Sequence, residues 1–142
     1  MRITDSTLSS KIEKHVAHQL ADIFFFDCIA VIEIKEGVHF DKNNSKPVFD
    51  VLNSHFGSSK SFGIVANRVN SYSINILDSA YYKQDLKNMK AYGVVGHDLA
   101  SKMNALLENN FCETDQIDFE TLYDAVEHTC ERVKHRNLFS LN

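Results

Sequence analysis

The chain alternates between short apolar runs and longer amphipathic stretches, and the period of the pattern changes along it. From about His18 to Phe26 the residues favour β structure and end in Phe24-Phe25-Phe26. Asp27-Cys28 interrupts, and Ile29-Ala30-Val31-Ile32-Glu33-Ile34-Lys35 resumes. Two such runs, about two residues apart, predict an antiparallel hairpin, closed by Gly37. Val48, Val51, Leu52 and His55 then recur at i, i+3, i+4 and i+7, which predicts a helix over roughly Asn44 to Phe56 with one stripe on the core. Pro47 falls in its first turn, where the missing N–H breaks nothing, and Gly57 suits a left-handed cap at its end.

Ser61 to Ala66 is a nearly continuous apolar run, the pattern of a strand covered on both faces. A polar loop follows from Asn67 to Asn75, and Asn75 with Asp78 can cap a short helix to about Asp85. Lys90 to Val95 reads as the next buried strand. Gly96-His97-Asp98 turns into a helix to about Phe111, with the stripe Leu99, Met103, Leu106, Leu107 and Asn110, and a weak strand is expected near Asp115 to Ile117. Asp118 is the expected cap of a last helix, Ile117 packs on Leu122 as a staple, and Leu122, Ala125, Val126, Thr129 and Val133 mark its buried face. Residues 1–10 are polar and read as a flexible lead-in, 11–135 as a single domain, and 136–142 as a tail. Alternating strands and helices require right-handed crossovers and a mainly parallel sheet. The opening hairpin makes it mixed: an α/β fold with four to five strands and about four helices packed on them.

Composition narrows the function classes. The 142 residues are 44% apolar and 24% charged, as in a globular domain, and fifteen basic against nineteen acidic residues give a net charge of −4. Such a balance argues against nucleic acid as a partner, since that needs concentrated positive charge. Cys28, Cys112 and Cys130 form an odd set without CxxC spacing, which does not fit a secreted disulfide framework. The first residues lack the apolar core of a signal peptide, and the longest apolar stretch, Ile23 to Ile34, is broken by Asp27 and Glu33. The reading is a cytoplasmic chain with reduced thiols and no integral membrane segment.

Gly37-Val38-His39-Phe40-Asp41, followed by Ile64-Val65-Ala66-Asn67-Arg68-Val69-Asn70-Ser71-Tyr72-Ser73-Ile74-Asn75, resembles the small bacterial STAS/SEC14-type, SpoIIAA-like proteins, over roughly residues 18 to 133. The resemblance implies a mixed sheet with helices packed against it, as in anti-sigma-factor antagonists. It also implies a phosphorylated serine in the loop after the third strand, where Ser71 and Ser73 stand here. Asn70-Ser71-Tyr72-Ser73 occupies the place of those relatives' Asp-Ser-Ser/Thr-Gly. The SEC14-type relatives carry lipids, so the resemblance also allows an apolar or lipid-like ligand.

The Asn67–Asn75 loop is the first candidate site, because open α/β sheets place their ligands at the carboxyl ends of strands. Arg68 offers a two-bond fork for an anion, and Tyr72 an aromatic anchor for a protein partner. Asn67, Asn70, Ser71 and Ser73 would complete the contacts, and His97 stands at the equivalent end of the next strand. His128, Glu131 and His135 are spread along one helix face and read as solvated, so no metal is expected; His39 and Asp41 read as the approach to the first helix. No GxSxG, HExxH or glycine-rich phosphate loop occurs, and no cofactor is implied. The expectation is a non-enzymatic regulatory or protein-interaction module, with a carrier of a small apolar ligand as the alternative. Phe24-Phe25-Phe26 reads as core, or as a surface that pairs two chains in a homodimer.

Overall fold

The computed structural model describes residues 1–96 and 118–140, with side chains through 135. Its main sheet has six strands: β1 (Lys14–Ala17), β2 (Ala21–Phe25), β3 (Ile29–Ile34), β5 (Phe62–Arg68), β7 (Met89–Gly96) and β8 (Asp118–Phe119), adjacent in that order. β1, β2 and β3 pair antiparallel, and β3, β5, β7 and β8 pair parallel. Two further strands, β4 (His39–Phe40) and β6 (Ser73–Ile74), pair parallel to each other in a separate small sheet. Helices α1 (Ser45–Phe56) and α2 (Ser79–Asp85) complete the upper side, and α3 (Leu122–Ser140) lies on the lower side. The mixed α/β architecture agrees with the sequence reading. The strand count exceeds it, and the helix expected over 98–111 lies outside the described residues, as do His97, Cys112 and the weak strand at 115–117.

The hairpin forms as its apolar alternation requires. Phe25 opposes Ala30, and the Phe26 N–H donates to the Ile29 carbonyl at 2.9 Å across the turn. Phe24, Phe25 and Phe26 are all buried, which removes them as a surface for pairing two chains. The strand expected from His18 starts later, because residues 18–20 form a turn: the His18 N–H donates to the Ala21 carbonyl and the Leu20 N–H to His18 Nδ1. β1 is the addition the pattern did not announce. Only Val16 of its four side chains is partly buried, so this edge strand is held by backbone pairing and by the stack of His15 on Phe24, centroids 4.4 Å apart.

The lead-in is also corrected. Residues Ile3–Asp5 and Thr7–Lys11 form two 3-10 turns, linked by Ser6, whose Oγ accepts from the Leu8 N–H. Ile3 and Leu8 are buried in the lower core with Val31, Val65 and Ala91. Tight turns carry no 3.6 or 2.0 period, so two isolated apolar residues were the only trace of this docking.

α1 occupies the expected span and ends at Gly57, whose φ of 82° is the left-handed conformation glycine adopts without strain. Its buried face is Val48, Phe49, Leu52 and Phe56, rotated from the expected stripe because two phenylalanines outweigh the half-buried Val51 and His55. β5 and β7 are covered on both faces, which accounts for their unbroken apolar runs. α3 begins later than expected. Asp118 lies in β8 paired with Val94, and Thr121 is the cap, its Oγ1 accepting from the Asp124 N–H at 3.1 Å. Leu122, Ala125, Thr129 and Val133 face the sheet. Under Thr129 the sheet carries glycine: a Cβ at Gly63 would sit 2.6 Å from Thr129 Cγ2, and one at Gly93 2.9 Å from Thr129 Oγ1. The two glycines thus set how closely α3 approaches.

Candidate functional site

β5 delivers Asn67 and Arg68 to the carboxyl edge of the sheet as strand residues, not loop residues, and alternation sends them to opposite sides. Asn67, 0% exposed, turns toward the lead-in, where its Nδ2 donates to the Met1 carbonyl at 2.8 Å and to Glu33 Oε2 at 2.7 Å. The same Glu33 oxygen accepts the Ile3 N–H at 2.7 Å, and Arg2 Nη1 lies 3.8 Å from the other. Glu33 is 2% exposed, so this carboxylate is satisfied inside the protein and pins the lead-in across the sheet edge. Arg2 also donates to Asn70 Oδ1 at 3.0 Å, and Asn70 Nδ2 donates to the Ile34 carbonyl.

Arg68 turns the other way. Its guanidinium lies 4.1 Å from the centroid of the Tyr72 ring and donates to the Tyr72 carbonyl at 3.3 Å. Both side chains are buried, Arg68 at 4% exposure. The expectation that Arg68 and Tyr72 reach a partner directly is therefore corrected: cation–π contact and burial make them internal braces of the loop. Asn67 is likewise internal. Of the residues singled out in sequence, Ser71 and Ser73 are exposed and Asn70 is half-buried. The Ser71 N–H donates to Glu36 Oε2, its carbonyl accepts from Gly37, and Ser73 Oγ shares a 2.6 Å hydrogen bond with His39 Nδ1. That bond runs between paired residues of β4 and β6 and ties the small sheet together on its outer side.

An anion finds little welcome at the turn that follows. Asn75 Oδ1 accepts from the Leu77 N–H, and Asp78, a buried carboxylate, accepts from Asn75 Nδ2 and from the Lys42 N–H. The Leu77 and Lys42 N–H groups and Asn75 Nδ2 are thus taken up by protein acceptors, and the Asp78 carboxyl group holds two of these donors. What the turn does present is apolar. Leu77 is 92% exposed and Tyr81, four residues on, is 50% exposed, with Lys42 Nζ 4.8 Å from the Tyr81 ring centroid. These three residues were missed in sequence. The signal was the i, i+4 pair Leu77/Tyr81, which lies on a different face of this short segment from the buried Asp78 and Tyr82.

Beneath the small sheet, between α1, α2 and the main sheet, lies an apolar cavity of about 50 Å³, lined by residues that include Ile32, Phe40, Phe49, Ile64, Tyr72 and Tyr92. Among the described residues no group of three or more His, Cys, Asp or Glu side chains is placed to hold a metal ion, and no helix is long and apolar enough to cross a membrane. His128 is half-buried and packs against Phe119, ring centroids 5.1 Å apart.

The crystal structure of an uncharacterized DUF3478-family protein from Shewanella loihica PV-4, described as having a SpoIIAA-like fold, matches this one with a TM-score of 0.52. The match covers 82% of this chain and 91% of that one. This chain's fold is SpoIIAA-like. At 13% identity the likeness carries the fold alone. No family model matches the sequence, and no curated protein does. In the SpoIIAA-like frame, the buried Arg68–Tyr72 brace lies at the carboxyl edge of the parallel strands, the edge that the sequence reading singled out, and the segment with the exposed Ser71, Ser73, Leu77 and Tyr81 follows from it.

Proposed function

We propose that this domain is a non-enzymatic protein-interaction module, and that its partner docks on the segment running from Ser71 through Tyr81. The exposure of Leu77 carries the reading: a leucine 92% open to water gains nothing for the isolated fold. With Tyr81 it makes a small apolar patch beside the Lys42 ammonium, and Ser71 and Ser73 are exposed earlier in the same segment. Aromatic and cationic side chains around an apolar centre suit a protein surface with an apolar pocket rimmed by carboxylates. Arg68 and Tyr72 act from beneath, by fixing the loop that presents the patch.

A pulldown from the source cells, with wild type and the Leu77→Ser/Tyr81→Ser variant side by side, tests this. A protein retained by wild type and lost by an equally stable variant supports the proposal. Identical sets of captured proteins would sink it.

The carrier alternative draws on the apolar cavity, but about 50 Å³ is well short of the roughly 300–1,000 Å³ of small-molecule sites. A lipid-like ligand would have to displace the small sheet. Acyl-chain mass retained by the native protein and lost on denaturation would favour that reading over partner docking.

A further inference from the structure

Cys28 and Cys130 come from opposite ends of the sequence and meet on the lower side of the sheet. Cys28 occupies the two-residue hairpin turn, whose backbone is pinned twice: Phe26 N–H to the Ile29 carbonyl, and Gly63 N–H to the Cys28 carbonyl, both at 2.9 Å. Cys130 follows Thr129, the residue that α3 presses against Gly63 and Gly93. Gly63 therefore touches both, through its N–H to the Cys28 carbonyl and through Thr129 beside Cys130, and Cys130 packs against the buried cluster that holds Cys28, near enough for each thiol to act on the other's charge. Both are free thiols. Their access to solvent differs. Cys28 is buried, while Cys130 is half-buried and lines an open groove with Lys11, Tyr123 and Lys134.

We propose that Cys28 and Cys130 form a dithiol site for reversible oxidation, in which a peroxide converts the pair to a disulfide that fastens α3 to the hairpin turn. The solvent-facing Cys130 reacts first. Its thiolate attacks one oxygen of hydrogen peroxide, the O–O bond breaks, and the departing hydroxide takes a proton to leave as water, giving a sulfenic acid. Cys28 then gives up its proton, and its sulfur attacks the Cys130 sulfur. The S–O bond breaks and a second water leaves. Two thiols and one peroxide thus become one disulfide and two waters. The order follows from the environment. Burial, with the Cys130 hydrogen bond and charge adding to it, pushes Cys28 up to about 12, which keeps it a thiol until a sulfenic acid stands beside it. The Lys134 charge opposes that rise and eases loss of the Cys28 proton.

The test treats the fully reduced wild-type chain with hydrogen peroxide, alkylates the remaining thiols, and maps the peptides without reduction. Trypsin with a glutamyl protease parts Cys112 from Cys130 at Glu113. The expected product is a Cys28–Cys130 cross-link, lighter by two hydrogen atoms, with Cys112 alkylated. Sulfinic acid at Cys130 with Cys28 still alkylated overturns the proposal, as does a dominant link to Cys112. In Cys28→Ser, Cys130 sulfenic acid should persist and be trapped by dimedone in larger yield than in wild type. Equal trapping in the two proteins would count against Cys28 as the resolving thiol, independently of the cross-link map.

Discussion

Above the main sheet, Phe25, Phe40, Phe49, Phe56, Phe62 and Tyr82 pack ring against ring at centroid separations of 4.5 to 6.0 Å, and they leave an apolar cavity of about 50 Å³. Below it, Gly63 and Gly93 draw α3 so close that an added Cβ would strike Thr129, and a buried carboxylate, Glu33, gathers the lead-in by direct hydrogen bonds. Large rings fill space coarsely and leave slack. On the lower side, backbone approach at Thr129 and the paired polar groups around Glu33 fix the distances between the described residues. The proposed docking patch lies beyond the slack side and the thiol pair on the tight one.

The lower polar cluster should yield the largest effect. Glu33→Ala leaves the buried Ile3 N–H and one hydrogen of the Asn67 amide without their shared acceptor, a loss of about 2–6 kcal/mol at roughly 1–3 kcal/mol per orphaned donor. Urea unfolding measures it, and proteolysis should cut the lead-in sooner than in wild type. Glu33→Gln keeps one acceptor oxygen and should cost less. Stability unchanged by Glu33→Ala would mean that apolar burial of Ile3 alone holds the segment, and the contrast between polar and aromatic packing would collapse.

Adding carbon to each face sharpens the contrast at smaller cost. Gly63→Ala drives a Cβ against the Thr129 and Val133 methyls and should cost about 1–3 kcal/mol. Ala66→Val, three residues along the same strand, points into the upper cavity and should be neutral or stabilising by about 0.5 kcal/mol. Equal losses at 63 and 66 would show the cavity to be as unforgiving as the glycine contact.

How far the sequence revealed these differences depended on whether a residue acts locally. The hairpin, α1 between Pro47 and Gly57, and the apolar runs of β5 and β7 were legible because turn chemistry and periodicity decide them. β1 and the lead-in were not, since an edge strand with one half-buried side chain and two 3-10 turns carry little pattern. The Asn67–Asn75 segment lies at the carboxyl edge of the strands as expected, but the side chains it exposes are not the expected ones. Polar type made Arg68 and Tyr72 look exposed, but strand alternation turned Arg68 inward and the stack on Tyr72 kept both there. Leu77 and Tyr81 drew no reading at all, because a short helix offers too few turns for a stripe to show. Thr121 displaced Asp118 as the α3 cap because β8 claims Asp118 for the sheet, a choice only tertiary pairing decides. How near Cys130 comes to Cys28 is set by how close α3 lies, and two glycines, each at least 35 residues from either cysteine in sequence, fix that distance.

The smallest effect concerns the border of the upper face. His55 stacks on Phe25, ring centroids 3.8 Å apart, and partial burial together with the Lys14 charge lowers its pKa from 6.5. Lys60 lowers it further, while Glu13 opposes them. As the pH falls through 6.5 the unfolded chain takes up a proton at this residue before the folded chain does, so acidification favours unfolding. The contribution is fully present above 6.5 and is lost as the pH drops toward the lower, folded value. The wild-type protein should therefore melt at a lower temperature at pH 5 than at pH 7, and His55→Phe, which keeps the ring on Phe25, should show a smaller drop across the same interval. An identical drop in both proteins would place the pH sensitivity elsewhere. The upper border would then be held by aromatic packing alone, with the imidazole serving only as one more flat ring on Phe25.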